Sequence, residues 1–168
     1  MFTTILVAVS ASSIDTVLGS AIETARQYDA RILALHAVDP APCLMSPIDY
    51  DFGLATEAME AHGCEIVARM AQVLDNHSGP AETRMVTLPM SGLSVGGAIA
   101  SVANTWAADL VILGERNSSW LDWLSEDVAL EARRQANAPI QTLSSKVINV
   151  ATRRDVTRWI KAPAVDAR

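Results

Sequence analysis

A four-residue apolar run, Leu110 to Leu113, stops at Gly114 and gives way to a polar stretch reaching Asp127. A run this short, bounded by turn signals, suits a strand buried on both faces of a sheet. The glycine permits a sharp turn and close approach by a ligand or a helix. Pro139 opens a second short run, Ile140 to Leu143. Ligands of open parallel sheets bind beyond the carboxyl ends of the strands. Residues Gly114 to Asp127 are therefore expected to floor any small-molecule site.

The rest of the chain repeats this grammar. Thr4 to Ser10 (TILVAVS) reads as a buried strand, with Ile5 to Ala8 uninterrupted by charge. Such a strand belongs at the centre of a sheet covered on both faces. Ser12 is expected to start a helix, with Asp15 in the capping-box position. Ile14, Val17, Leu18, Ala21, Ile22 and Ala25 would form its apolar face. Ala30 to Ala37 is a second strand, ended by Asp39-Pro40, and a proline-rich loop runs to about Asp51. A long helix, roughly Leu54 to Asn76, turns Met59, Ile66, Val67, Met70, Val73 and Leu74 inward. Glu82 to Leu88 is the third strand and Pro89 to Gly92 a turn. Val95, Ile99, Val102, Ala103 and Trp106 line a third helix. After the fourth strand, a fourth helix is expected from about Trp120 or Ser125 to Gln135. Alternating strands and helices predict an α/β fold, a single doubly wound parallel sheet with helices on both faces.

The 168 residues form one domain over 1–145, with 146–168 as a C-terminal extension. No apolar run approaches the ~18 residues that span a bilayer, and MFTTILVAVS reads as a strand, not a leader. Cys43 and Cys64 fit neither metal spacing nor a disulfide framework. A cytoplasmic setting is expected, with no membrane contact. Net charge is −6, the acids and bases interspersed, which argues against nucleic acid.

Catalytic constellations are absent. His36 lies within the second strand and reads as a hydrogen-bonded core or rim residue. His62 and Cys64, two apart on a helix, point in different directions and cannot chelate together. His77, near a helix end, would complement the dipole. No catalytic residue and no metal ligand is assigned. Gly92 and Gly96-Gly97 make no dinucleotide fingerprint and are expected to let a helix pack close to the sheet. Ser10-Ala-Ser-Ser-Ile-Asp15 lacks both glycines of the pyrophosphate loop SGGxDS, so an ATP pyrophosphatase is set aside.

The segments VAVSASSIDTVLGSAIETARQYDARILALHAVDP, ADLVILGER and APIQTL, in that order and spacing, resemble the universal stress protein family from Met1 to Ser145. The resemblance implies a five-stranded sheet of order 3-2-1-4-5, dimerisation and a role in stress tolerance. Many members bind ATP through an aspartate ending the first strand and a Gly-x2-Gly-x9-Gly-Ser/Thr loop after the fourth. Here Ser10 replaces the aspartate, Gly114 matches the first glycine, and Asn117 stands at the second. Glu126-Asp127 fall where Gly-Ser/Thr would be, counted back from Pro139, while counting forward from Gly114 gives Asp127-Val128, a loop about one residue short. The chain thus resembles the non-nucleotide, universal stress protein A type.

A helix start attracts anions through unpaired amides and its dipole. Glu126 and Asp127 are expected there as first-turn acids that block a phosphate. The favoured reading is a non-enzymatic stress protein without cofactor, acting as a homodimer on an unidentified protein partner. The alternative is an ATP-binding switch or weak ATPase that uses Ser10, Val38, Asp39, Gly114, Asn117 and Ser118. The dimer is expected to form through the fifth strand, an edge strand, and the extension. Within that extension Lys146 to Val150 reads as one more strand, followed by Trp159 and Ile160 among basic residues.

Overall fold

Ile5, Leu6 and Val7 have no exposed surface, an enclosure worth roughly 1.5–3 kcal/mol for each side chain. They lie on β1 (Thr4–Ala8), the middle strand of a five-stranded sheet in a computed structural model that describes residues 2–41, 51–89, 92–114 and 127–143. The sheet order is β3-β2-β1-β4-β5 and every pairing is parallel. The remaining strands are β2 (Arg31–Val38), β3 (Ala81–Thr87), β4 (Leu110–Gly114) and β5 (Ile140–Leu143). The helices are α1 (Ile14–Tyr28), α2 (Phe52–Leu74), α3 (Val95–Thr105) and α4 (Val128–Gln135). The expected parallel α/β sheet with its first strand central is the observed one.

Alternation along each strand divides the core in two. Ile5 and Val7 of β1, Ile32 and Ala34 of β2, and Leu110 and Ile112 of β4 pack under α1 and α2. On the opposite face Leu6, Leu33, Leu35, Val111 and Leu113 meet Ile99 and Ala103 of α3 and Ala132 of α4. The α1 face is the expected one: Ile14, Val17, Leu18, Ala21 and Ala25 are buried, with Ile22 half-covered.

Some local expectations need correction. Helix α1 starts at Ile14 with Ser13 as its cap residue, not at Ser12, and no side chain caps it. The capping box fails because Ser10 to Ser13 is already a turn, closed by Ser13 N–H on the Ser10 carbonyl at 3.0 Å. Asp15 instead pairs with Arg69 at 2.9 Å across an exposed surface. Gly96 serves helix–helix contact, not helix–sheet contact: a Cβ there would lie 2.7 Å from the Val128 carbonyl oxygen and 2.9 Å from Glu131 Cβ. At the other end of the α3–α4 pair, Asn104 donates to the Gln135 carbonyl and accepts from Asn137 N–H, both at 2.9 Å. Near the end of α2, both ring nitrogens of His77 are buried with no hydrogen-bond partner among the described residues, the ring lying against Gly79.

Among the described residues no helix is long and apolar enough to cross a membrane. The expected strand at 146–150 and the basic tail lie outside the described residues.

Candidate functional site

Parallel strands bring their carboxyl ends to one side of the sheet, and β1, β2 and β4 are neighbours there. Val9 N–H still reaches the Leu35 carbonyl at 2.9 Å, after which the chain turns. Ser10 therefore lies at the rim beyond β1, exposed, and not within the strand as expected. Its hydroxyl is 2.8 Å from that of Ser13 and 3.4 Å from that of Ser12. The Ser13 hydroxyl also approaches the Ser10 carbonyl at 3.3 Å. A local cluster of hydroxyls centred on Ser10 thus takes up hydrogen-bonding capacity that an acid at this position would direct outward.

Gly114 ends β4 directly beside Ser13 of that cluster. A Cβ there would lie 2.7 Å from Val17 Cγ2 and 2.8 Å from Ser13 Oγ. The close approach expected at this glycine is made by the start of α1. Its φ is not among the positive values, so the requirement is space and not backbone conformation.

At the end of β2, Val38 is buried and its carbonyl accepts Leu88 N–H at 2.8 Å. Close packing of α2 onto the sheet contributes to this burial: a Cβ on Gly63 would stand 2.8 Å from Val38 Cγ2 and 2.7 Å from Met85 Sδ. Asp39 Oδ1 accepts Ala41 N–H at 3.0 Å, the local Asx turn that carries the chain into its proline-rich segment. His36 sits one layer in, with Nδ1 2.9 Å from the Val9 carbonyl oxygen. A carbonyl only accepts, so Nδ1 carries the proton. The hydrogen-bonded rim role expected for His36 is the one it has.

Asp127 is the cap residue of α4, one position ahead of the expected first turn. Its backbone is non-helical at φ −71° and ψ 87°, and its carboxylate accepts Leu130 N–H at 3.0 Å. Helix α4 therefore begins at Val128, later than Trp120 or Ser125. An acidic side chain outcompetes a helical conformation here by satisfying a first-turn amide itself. Asn117, Ser118 and Glu126 lie outside the described residues. Among the described residues no group of three His, Cys, Asp or Glu side chains could hold a metal, and His62 pairs with Glu65 at 3.3 Å.

The structure thus gathers Ser10, Val38, Asp39 and Gly114 at one end of the sheet. The sequence reading missed Ser13, although its spacing of three from Ser10 is the signature of a turn returning on itself.

The sequence profile of the universal stress protein family matches residues 1–141. The chain belongs to the universal stress protein family. Among solved structures, this universal stress protein is similar to a family member from Burkholderia pseudomallei, at 20% identity and a TM-score of 0.65, covering 84% of this chain and 95% of that one. It is similar also to universal stress protein UspA from Lactobacillus plantarum, at 19% identity and a TM-score of 0.66, covering 84% and 97%. A universal stress protein from Archaeoglobus fulgidus in complex with dAMP gives 18% identity and a TM-score of 0.58, covering 83% and 96%. At these identities the likeness establishes the shared fold. No curated protein matches the sequence.

Proposed function

We propose that this universal stress protein is a non-enzymatic stress-response protein, acting through dimerisation and contact with partner proteins, with a degenerate nucleotide site. The observation that carries the reading is Asp127. Its carboxylate occupies the amino terminus of α4 and takes the Leu130 amide, at the position where the family's loop would offer amides to a phosphate. An arriving phosphate meets like charge, roughly 1 kcal/mol per pair in water at a few ångströms and more where water is excluded. Glu126, its sequence neighbour, adds a second acid in this reading.

Three further features support it. The Ser10 hydroxyl is turned onto Ser13, the Val38 carbonyl is engaged by Leu88, and Asp39 is engaged by its own turn. The protein would work in the cytoplasm, where the exposed free thiol of Cys64 stays reduced. Its dimer would form through β5, which lies at the sheet edge, together with residues 146–168.

A second reading rests on the dAMP complex of the Archaeoglobus fulgidus relative. In it Ser10, Val38, Asp39, Gly114, Asn117 and Ser118 hold ATP, and the chain is a nucleotide-dependent switch or weak ATPase. Denaturing the purified protein and identifying any released nucleotide by mass spectrometry separates the two. The proposed function expects none, and a stoichiometric adenine nucleotide would overturn it.

A further inference from the structure

At the amino ends of the strands, remote from the serine cluster, Trp106 lies at the end of α3 over β2 and β3. The Arg31 guanidinium carbon stands 5.6 Å from the indole centroid and that of Arg84 stands 4.3 Å away. Both are within the range of cation–π attraction. A cavity of about 160 Å³ opens beside them, lined by Arg31, Ile32, Leu33, Pro80, Ala81, Glu82 and Trp106.

Both arginines are held by one nitrogen only. Arg31 Nε donates to Thr4 Oγ1 at 3.0 Å, and Thr4 is itself buried. Arg84 Nε donates to Glu82 at 2.7 Å. Among the described residues the terminal nitrogens of both guanidiniums have no hydrogen-bond partner. Each side chain is thus oriented while the part of its fork that grips a carboxylate is left open. Shielding of the indole explains the stacking, but it does not explain a cavity lined by the open fork of Arg31, with the fork of Arg84 lying over the same indole that walls it.

We infer that this pocket binds a small monoanionic carboxylate with an apolar body. Charge sets the anion: two guanidiniums against the one carboxylate of Glu82 leave a single positive charge to satisfy. Asp109, another acid on this rim, is occupied by Thr3 and Thr4. A doubly charged phosphate would carry excess charge past Glu82. Trp106, Leu33, Pro80 and Ala81 supply the surface for the apolar body. The cavity is well below the roughly 300–1,000 Å³ of drug-sized sites, which limits the ligand to about one ring or a short chain.

The test is calorimetric titration of the full chain with benzoate, with benzamide as the neutral isostere and inorganic phosphate as the dianion. Saturable benzoate binding is expected, weakened about tenfold or more in Arg31→Gln and in Arg84→Gln, with benzamide and phosphate not bound. Nuclear magnetic resonance should show the Trp106 indole N–H shifting with benzoate in the wild type. Thermal unfolding confirms that each variant is folded, and both substitutions are at the surface. Absence of benzoate binding, equal binding of benzamide, binding indifferent to both arginines, or tighter binding of phosphate would each overturn the assignment.

Discussion

Ser13 fills the space where a side chain on Gly114 would have to go: a Cβ at Gly114 would stand 2.8 Å from Ser13 Oγ. The first turn of α1 and the last residue of β4 are therefore locked together across β1, whose carboxyl end they flank. Gly114→Ala must push Ser13 and Val17 aside, and overpacking of this kind costs about 1–3 kcal/mol. Chemical denaturation should show that loss. Ser13→Ala should relieve it only in part, because the Val17 methyl remains at 2.7 Å.

Replacing the acid at the start of α4 should separate its two effects. Asp127→Ala removes the cap on Leu130 and should cost about 0.5–2 kcal/mol of stability. Glu126→Gly combined with Asp127→Ser keeps a capping hydroxyl while removing both charges. It should raise affinity for ATP in calorimetry, whereas the unmodified protein should show no tight binding. Micromolar ATP binding by the wild type would defeat the blocked-site argument.

Asp109 gives the acid limb of stability a specific origin. Its Oδ2 receives the Thr3 hydroxyl at 2.6 Å, Thr3 N–H at 2.8 Å and Thr4 N–H at 3.0 Å. The Thr3 hydroxyl bond first, then the two amide bonds, hold its carboxyl below the ordinary carboxylate range. A folded-state value below the unfolded one stabilises the fold above about pH 4, the unfolded value. That contribution is lost as pH falls through the depressed folded value. Asp109→Asn should therefore flatten the dependence of unfolding free energy on pH below about 4, while lowering stability at neutral pH.

The dimer proposal is tested by truncation after Ser145 and by native mass measurement. Among the described residues β5 lies at the sheet edge with one side of its backbone unpaired, and such an edge invites a second copy. If the extension seals the interface, the shortened protein should lose dimer or thermal stability. An unchanged dimer of unchanged stability would show residues 146–168 to be dispensable.

The sheet was legible because burial on both faces leaves a plain mark, short charge-free runs such as Leu110 to Leu113. Helix starts were less legible. Ser12 and Ser13 have the same side chain, and only the hydrogen bond from Ser13 N–H to the Ser10 carbonyl decides which one the helix begins from. Gly96-Gly97 signalled a close approach but not its partner, since that depends on α4, more than thirty residues further along the chain. At the candidate site Ser10 and Gly114 were found by position within a pattern. The turn of Ser13 onto Ser10 is local, but its contact with Gly114 arises only when β1 and β4 lie side by side. Arg31, Arg84 and Trp106 come from three separate elements, and no local spacing joins them.

The contact of α3 with α4 has a mechanical consequence. Gly96 brings backbone against backbone at one end of the pair, and Asn104 ties the chain on both sides of Ala136 at the other. Close backbone approach at one end and paired hydrogen bonds at the other resist sliding of one helix along the other, so the two are expected to move together. A displacement at Asp127 would then be handed on through Glu131 and Ala132 to α3, whose far end carries Trp106. Opposite rims of the sheet are in this way joined by a single stiff strut.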